Sequence, residues 1–118
     1  MVRESMKAAM TKKQIAEIEE LVGEITADCH DEDEQLMAFE GAINDAIDEY
    51  AKAFHLDEPV YLVGVNSNKG LRAGLRAKIT RQRKEFEVSL LDLEIDDTEE
   101  KELHRLVEAY KYFVKNLS

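Results

Sequence analysis

The sequence predicts an α+β fold: two N-terminal helices, a small antiparallel SH3-like sheet or half-barrel of three to four strands, and a C-terminal helix. Three observations carry this. Apolar residues recur at three- and four-residue spacing as far as Phe54, the period drops to two after the single proline, Pro59, and helical spacing returns after Asp97. At 118 residues with 44% hydrophobic side chains, the chain is sized for one domain with a real core. Residues 1–13 are expected to be a flexible N-terminal extension, and residues 14–118 a single α+β domain.

The first helix is read from Ile15, Ile18, Leu21, Val22, Ile25 and Cys29, which share one face. Glu17, Glu20, Glu24, Asp28 and Asp31 form a neighbouring acidic stripe. The second helix is read from Leu36, Phe39, Ile43, Ile47, Tyr50 and Phe54. Asp31 with Glu34 three residues on resembles a capping signal, so a break is expected near residues 29–32. Residues 60–65 form a short β-branched strand, followed by a turn at Asn66–Gly70. Leu71, Ala73, Leu75, Ala77 and Ile79 then alternate with polar residues, predicting a half-buried strand with a basic outer face. A third strand, Phe86, Val88 and Leu90, slips phase at Leu90–Leu91, where a bulge or sharp bend is expected. Asp97 or Thr98 caps a last helix carrying Leu103, Leu106, Val107, Tyr110, Val114 and Leu117 on one face.

The net charge of -10 is unevenly spread. Residues 14–58 hold fifteen carboxylates against one lysine, Lys52, whereas residues 59–84 carry seven basic side chains and no acid. The densest acidic run is Asp28-Cys29-His30-Asp31-Glu32-Asp33-Glu34. Crowded anions repel one another unless a cation joins them, and Ca²⁺ is a hard ion that accepts irregular oxygen shells. The competing explanation is that these acids only solubilise the helices and favour a helix N-terminus.

A helix–loop–helix calcium loop is excluded by spacing. It requires Gly at its sixth position and Glu at its twelfth. From Asp28 these are Asp33 and Phe39, from Asp31 they are Leu36 and Ala42, and from Asp92 they are Asp97 and Leu103. Any calcium site is therefore of a non-EF-hand kind, built from a kinked helix and the Asp92–Glu102 segment. Zinc is disfavoured because Cys29 and His30 are adjacent and His55 and His104 stand at no ligand spacing. Cys29, the one cysteine, falls on the apolar face and reads as an inert thiol in a reducing compartment. No phosphate loop, nucleophile elbow or HExxH motif is present, so no enzyme is expected. No apolar run approaches a membrane span, and a cytoplasmic location is expected.

The stretch Glu24-Ile25-Thr26-Ala27-Asp28-Cys29-His30-Asp31-Glu32-Asp33-Glu34-Gln35-Leu36-Met37-Ala38-Phe39 resembles the acidic entry segment of the CcbP-type calcium-binding proteins of cyanobacteria and other bacteria. Glu58-Pro59-Val60, Leu90-Leu91-Asp92-Leu93-Glu94 and Ala109-Tyr110-Lys111-Tyr112-Phe113 are similar to later parts of that family, so the likeness spans roughly residues 14–115. The chain departs from many relatives in lacking tryptophan and a Phe-Pro-Phe-like step after the second helix. The resemblance implies Ca²⁺ as the ligand and a role as a calcium buffer or sequestering protein. It implies Asp28, Asp31, Glu32, Asp33 and Glu34 as metal-site residues. Extending it, a second, weaker site would draw on Asp96, Asp97, Glu99 and Glu100, with Asp92 and Glu94 nearby.

The alternative is an interaction module whose basic barrel face, Arg72, Arg76, Lys78 and Arg81 continued by Arg83 and Lys84, meets an acidic protein or nucleic acid. Nucleic acid is disfavoured because the strand lacks interleaved aromatics and the acidic helices repel a polyanion. The simpler reading pairs these bases with the acidic helices. The charge-complementary faces also suit a homo-oligomer.

Overall fold

The structure, a computed structural model, describes residues 11–117. The expectation of a flexible extension at residues 1–10 lies outside the described residues. Helix α1 spans Lys12–Ile25, so Lys12 and Lys13 form its first turn rather than part of an extension. Its start is set by a capping box. Thr11 Oγ1 accepts from Gln14 N at 3.1 Å, and Gln14 Oε1 accepts from Thr11 N at 2.9 Å. Helix α2, Glu32–Ala46, begins at Asp31, whose side chain accepts from Glu34 N at 2.8 Å, as the sequence spacing predicted.

Five strands follow, where three to four were expected: β1 Ala51–His55, β2 Glu58–Asn66, β3 Arg76–Arg81, β4 Lys84–Ser89 and β5 Leu93–Ile95. They form one sheet in the order β4-β3-β2-β1-β5, with every neighbouring pair antiparallel. The last strand thus returns to pair with the first, which gives the small SH3-like arrangement. A 3-10 turn, Leu90–Asp92, makes the sharp bend expected at the phase slip and delivers the chain from β4 to β5. Helix α4, Lys101–Lys115, closes the domain.

The extra strand is β1, which the helical run had absorbed. Its inward residues are Ala51 and Ala53, 1% and 2% exposed, and two alanines give almost no period-two signal. The helical spacing of Ile47, Tyr50 and Phe54 is therefore accidental, because α2 stops at Ala46. Strand β3 starts later than the alternation suggested. Residues Gly70–Ala73 form a single helical turn, α3, bracketed by Gly70 and Gly74 at φ 85 and 71. Helix α4 likewise begins at Lys101 and not behind Asp97 or Thr98, with Glu100 as an N-cap whose side chain makes no capping bond to the helix.

The core lies between the sheet and helices α2 and α4. Phe39 of α2 meets Tyr110 and Phe113 of α4 at ring-centroid distances of 5.8 and 5.0 Å. Leu62, Ala77 and Leu93 present fully buried side chains from the sheet, and Leu75 does so from the residue before β3. Helix α1 packs chiefly on α4 and has no fully buried residue; Ile18, Leu21, Val22 and Ile25 are half-buried against the core. At that degree of burial each contributes on the order of 1 kcal/mol, so α1 is the most weakly docked of the three long helices. Among the described residues, no helix is long and apolar enough to cross a membrane.

Candidate functional site

The acidic run occupies the elbow between α1 and α2. The elbow begins where Thr26 caps α1, its hydroxyl donating to Val22 O at 2.7 Å, and Cys29 N donates to Thr26 O at 3.1 Å. Glu34 reaches back across the joint. Its Oε1 accepts from His30 N at 2.6 Å and lies 3.3 Å from His30 Nδ1. Glu32, Asp33 and Glu34 fill the first turn of α2, where unpaired N–H groups stabilise negative charge.

Asp28, Asp31, Glu32, Asp33 and Glu34 are all exposed. Among the described residues, no lysine or arginine forms an ion pair with any of them. Three of them act on one neighbouring group. The half-buried Cys29 thiol is pushed above its ordinary pKa first by desolvation, then by the fields of Glu34, Asp28 and Asp31. These carboxylates do not form a ready-made shell. Among the described residues, no group of three or more His, Cys, Asp or Glu side chains is placed to hold a metal ion together. The donor chemistry of the elbow suits a hard cation, yet its side chains would have to swing inward to share one.

The second acidic segment is differently disposed. Glu99 holds the Lys52 ammonium through both carboxylate oxygens, at 2.8 and 3.0 Å, and Glu100 Oε2 accepts from Lys52 N at 3.0 Å. Asp96 Oδ1 accepts from Thr98 N at 2.9 Å, Thr98 Oγ1 at 2.7 Å and Glu99 N at 3.1 Å. The Thr98 hydroxyl, then the Glu99 and Thr98 amides, hold the Asp96 carboxyl below its usual pKa. Lys52 is pushed up by its hydrogen bond to Glu99 and by that carboxylate's charge. A metal ion at Glu99 would therefore have to displace an ammonium already there. Asp97 is exposed in the turn before α4, Asp92 ends the 3-10 turn, and Glu94 lies 3.5 Å from Lys111 Nζ. Sequence reasoning singled out Lys52 but gave it no partner. Its signal was visible, since it is the one lysine within the acidic block.

The basic face is paired within the sheet. Arg76 Nε stands 3.5 Å from Glu87, Lys78 Nζ 4.0 Å from Glu85, Lys69 Nζ 3.7 Å from Glu87, and Arg81 bonds Glu58. The partners are acids of β4 and β2, and not the acidic helices. Glu87 is held below its usual pKa by its Asn66 hydrogen bond, then by Lys69 and Arg76. Arg72 sits in the last turn of α3 and not on β3. Exposed pairs of this kind stabilise weakly, at roughly 0–1 kcal/mol each, but they cancel most of the positive field on which a polyanion would depend.

No protein-family model and no curated protein matches the chain. Two solved structures do. Anabaena CcbP superposes with a TM-score of 0.67 at 14% sequence identity, covering 91% of this chain and 93% of CcbP. A calcium-binding protein in its calcium-binding form superposes with a TM-score of 0.62 at 13% identity, covering 89% and 91%. The likeness runs over nearly all of each chain, so the protein has the fold of Anabaena CcbP.

Proposed function

We propose that this protein binds Ca²⁺ through the carboxylates of the α1–α2 elbow and serves as a cytoplasmic calcium buffer. The observation that carries this reading is that a chain sharing its fold with a protein named as calcium-binding keeps five exposed carboxylates at one helix joint. Asp28, Asp31, Asp33 and Glu34 are the ligands, with Glu32 and Glu24 as alternates. Calcium draws them inward and replaces their mutual repulsion with attraction to one ion. Backbone N–H groups at the start of α2 do not oppose this, since an N-capping carboxylate has a second oxygen to offer. Asp96, Asp97, Glu99 and Glu100 form a weaker site that opens only when Lys52 is displaced.

Calorimetric titration of metal-stripped protein tests the reading. Saturable heat is expected below millimolar calcium, and its absence at low and moderate salt would sink the proposal. Asp31→Asn with Asp33→Asn should weaken binding by at least about tenfold. Unchanged affinity in that double variant would move the site away from the elbow.

A further inference from the structure

We propose that helix α1 is a detachable strap: it leaves the surface of α4 while the rest of the domain stays folded, and the crowded charge of the α1–α2 elbow sets how often it does so. The device works without an ion, and only its response to calcium rests on the function proposed above.

The sequence of α1 gives this helix little stability of its own. Its first turn carries Lys12 and Lys13 and no acid, and its last turn carries Glu24 and no base. Both ends thus oppose the helix dipole, which favours anions at the N-terminus and cations at the C-terminus. The other long helices follow the opposite pattern: α2 opens on Glu32, Asp33 and Glu34, and α4 has Glu102 in its first turn and Lys115 in its last. With 14 residues, α1 is near the shortest length at which even an alanine-rich helix stands alone in water. It is helical because it is docked.

The docking is shallow. No residue of α1 is fully buried, whereas α2 buries Leu36, Phe39 and Ile43 and α4 buries a full apolar face. Towards α4 the strap is fastened at the surface by the Tyr112 hydroxyl, which donates to the Glu19 carboxylate. At the elbow, charge pushes the other way. Asp28 follows α1, Asp31 and Glu34 lead into α2, and all three act on the Cys29 thiol, so the joint gathers like charges from both helices. Releasing α1 lets Glu24 and Asp28 move away from the start of α2. Screening or neutralising those charges favours the docked helix.

Native-state hydrogen exchange of the full chain, followed by NMR in chelator at low salt, tests the strap. Amides of Leu21, Val22 and Ile25 are expected to exchange through an opening at least about tenfold more populated than the global unfolding that frees Leu106 and Val107 of α4. Ile79→Val, which trims a buried side chain of the sheet, should speed exchange in α4 and leave α1 unchanged, whereas Tyr112→Phe should speed α1 by roughly fivefold. One common opening for both helices, or an α1 that follows Ile79→Val, overturns the proposal. Asp28→Asn should slow α1 exchange about twofold or more at low salt, and the difference should vanish in about 0.5 M sodium chloride. An α1 indifferent to both the substitution and the salt overturns the elbow's control. Saturating calcium should slow α1 further. Calcium that binds by calorimetry yet leaves α1 exchange unchanged overturns the link between strap and elbow while the calcium reading stands. Calcium that does not bind ends that reading, and the Asp28→Asn and salt results then decide this one.

Discussion

The Tyr110 hydroxyl accepts a hydrogen bond from the backbone N–H of Leu75 at 2.8 Å, across the floor of the core. Leu75 is fully buried, so this bond satisfies a donor that water cannot reach. It also explains Gly74. That residue has φ 71 and ψ -162, a region open essentially to glycine, and a Cβ there would stand 2.6 Å from Tyr110 Oη. Tyr110→Phe is expected to cost about 1–3 kcal/mol in urea unfolding, the penalty of stranding the Leu75 N–H. Gly74→Ala should cost more, and the pair should cost less than the sum, because removing the hydroxyl frees space for the methyl. Simple additivity would mean that clash with the hydroxyl is not what excludes a side chain at residue 74.

Asn44 performs the corresponding task for the sheet. The β1–β2 ladder ends at Ala51 and Leu62, and β2 bulges at Val63, so the free edge beyond faces α2. Asn44 fills it, accepting from Val65 N at 2.8 Å and donating to Val65 O at 2.9 Å. Asn44→Ala should destabilise by about 1–3 kcal/mol, while Asn44→Asp keeps the acceptor and should lose affinity for the Val65 carbonyl only. Faster amide exchange at Val65 in both variants would disprove that the acceptor matters.

The β3–β4 hairpin turns through Gln82 and Arg83, at φ 53 and 69. Two non-glycine residues at positive φ cost roughly 1 kcal/mol each relative to a relaxed turn. Replacing the pair by Asn-Gly should therefore raise stability by about 1 kcal/mol, after the added unfolded-state freedom of glycine is allowed for. An unchanged or lower urea midpoint in that variant would show that neither residue is strained in the turn.

Legibility followed the strength of the periodic signal. Leu103, Leu106, Val107 and Tyr110 announced α4 because one wide apolar face must be buried, and burial is what fixes a helix. Asp31 announced the start of α2 because its oxygen has a definite donor to meet, Glu34 N. Strand β1 was hidden because Ala51 and Ala53 pack by smallness. The partners of the basic strand were misassigned for another reason. Glu85 and Glu87 reach Lys78 and Arg76 by cross-strand register, a relation of pairing that charge counting along the chain does not contain. The elbow's acids were legible as a run, whereas their lack of a ready-made shell depends on rotamers and was not.

The Lys52 fastening gives a pH dependence of defined sign. Asp96 is held below its usual pKa, so its contribution is present above the ordinary carboxylate range and is lost as pH falls through its depressed value. Lys52 is held above its usual pKa, so its contribution is complete below the ordinary lysine value and is lost as pH rises through the raised one. Asp96→Asn should flatten the acid limb of the stability curve, and Lys52→Met the alkaline limb, each leaving the other limb in place. Both effects should be small, since these groups are solvated and salt screens them.

Cys29 reports on the elbow without any metal. Burial and then Glu34, Asp28 and Asp31 disfavour its thiolate, the species that reacts with iodoacetamide. Its alkylation rate should rise with pH later than that of a free thiol, and the midpoint should move down in Glu34→Gln and in Asp31→Asn. Because Glu34 Oε1 also holds His30 N, and Asp31 also caps α2, circular dichroism must show α2 intact in both. Asp28→Asn breaks no hydrogen bond seen among the described residues and is the cleaner variant. If its midpoint stays with the wild type while Glu34→Gln shifts, Asp28 faces away from the thiol, and the ligand set of the elbow loses its first member.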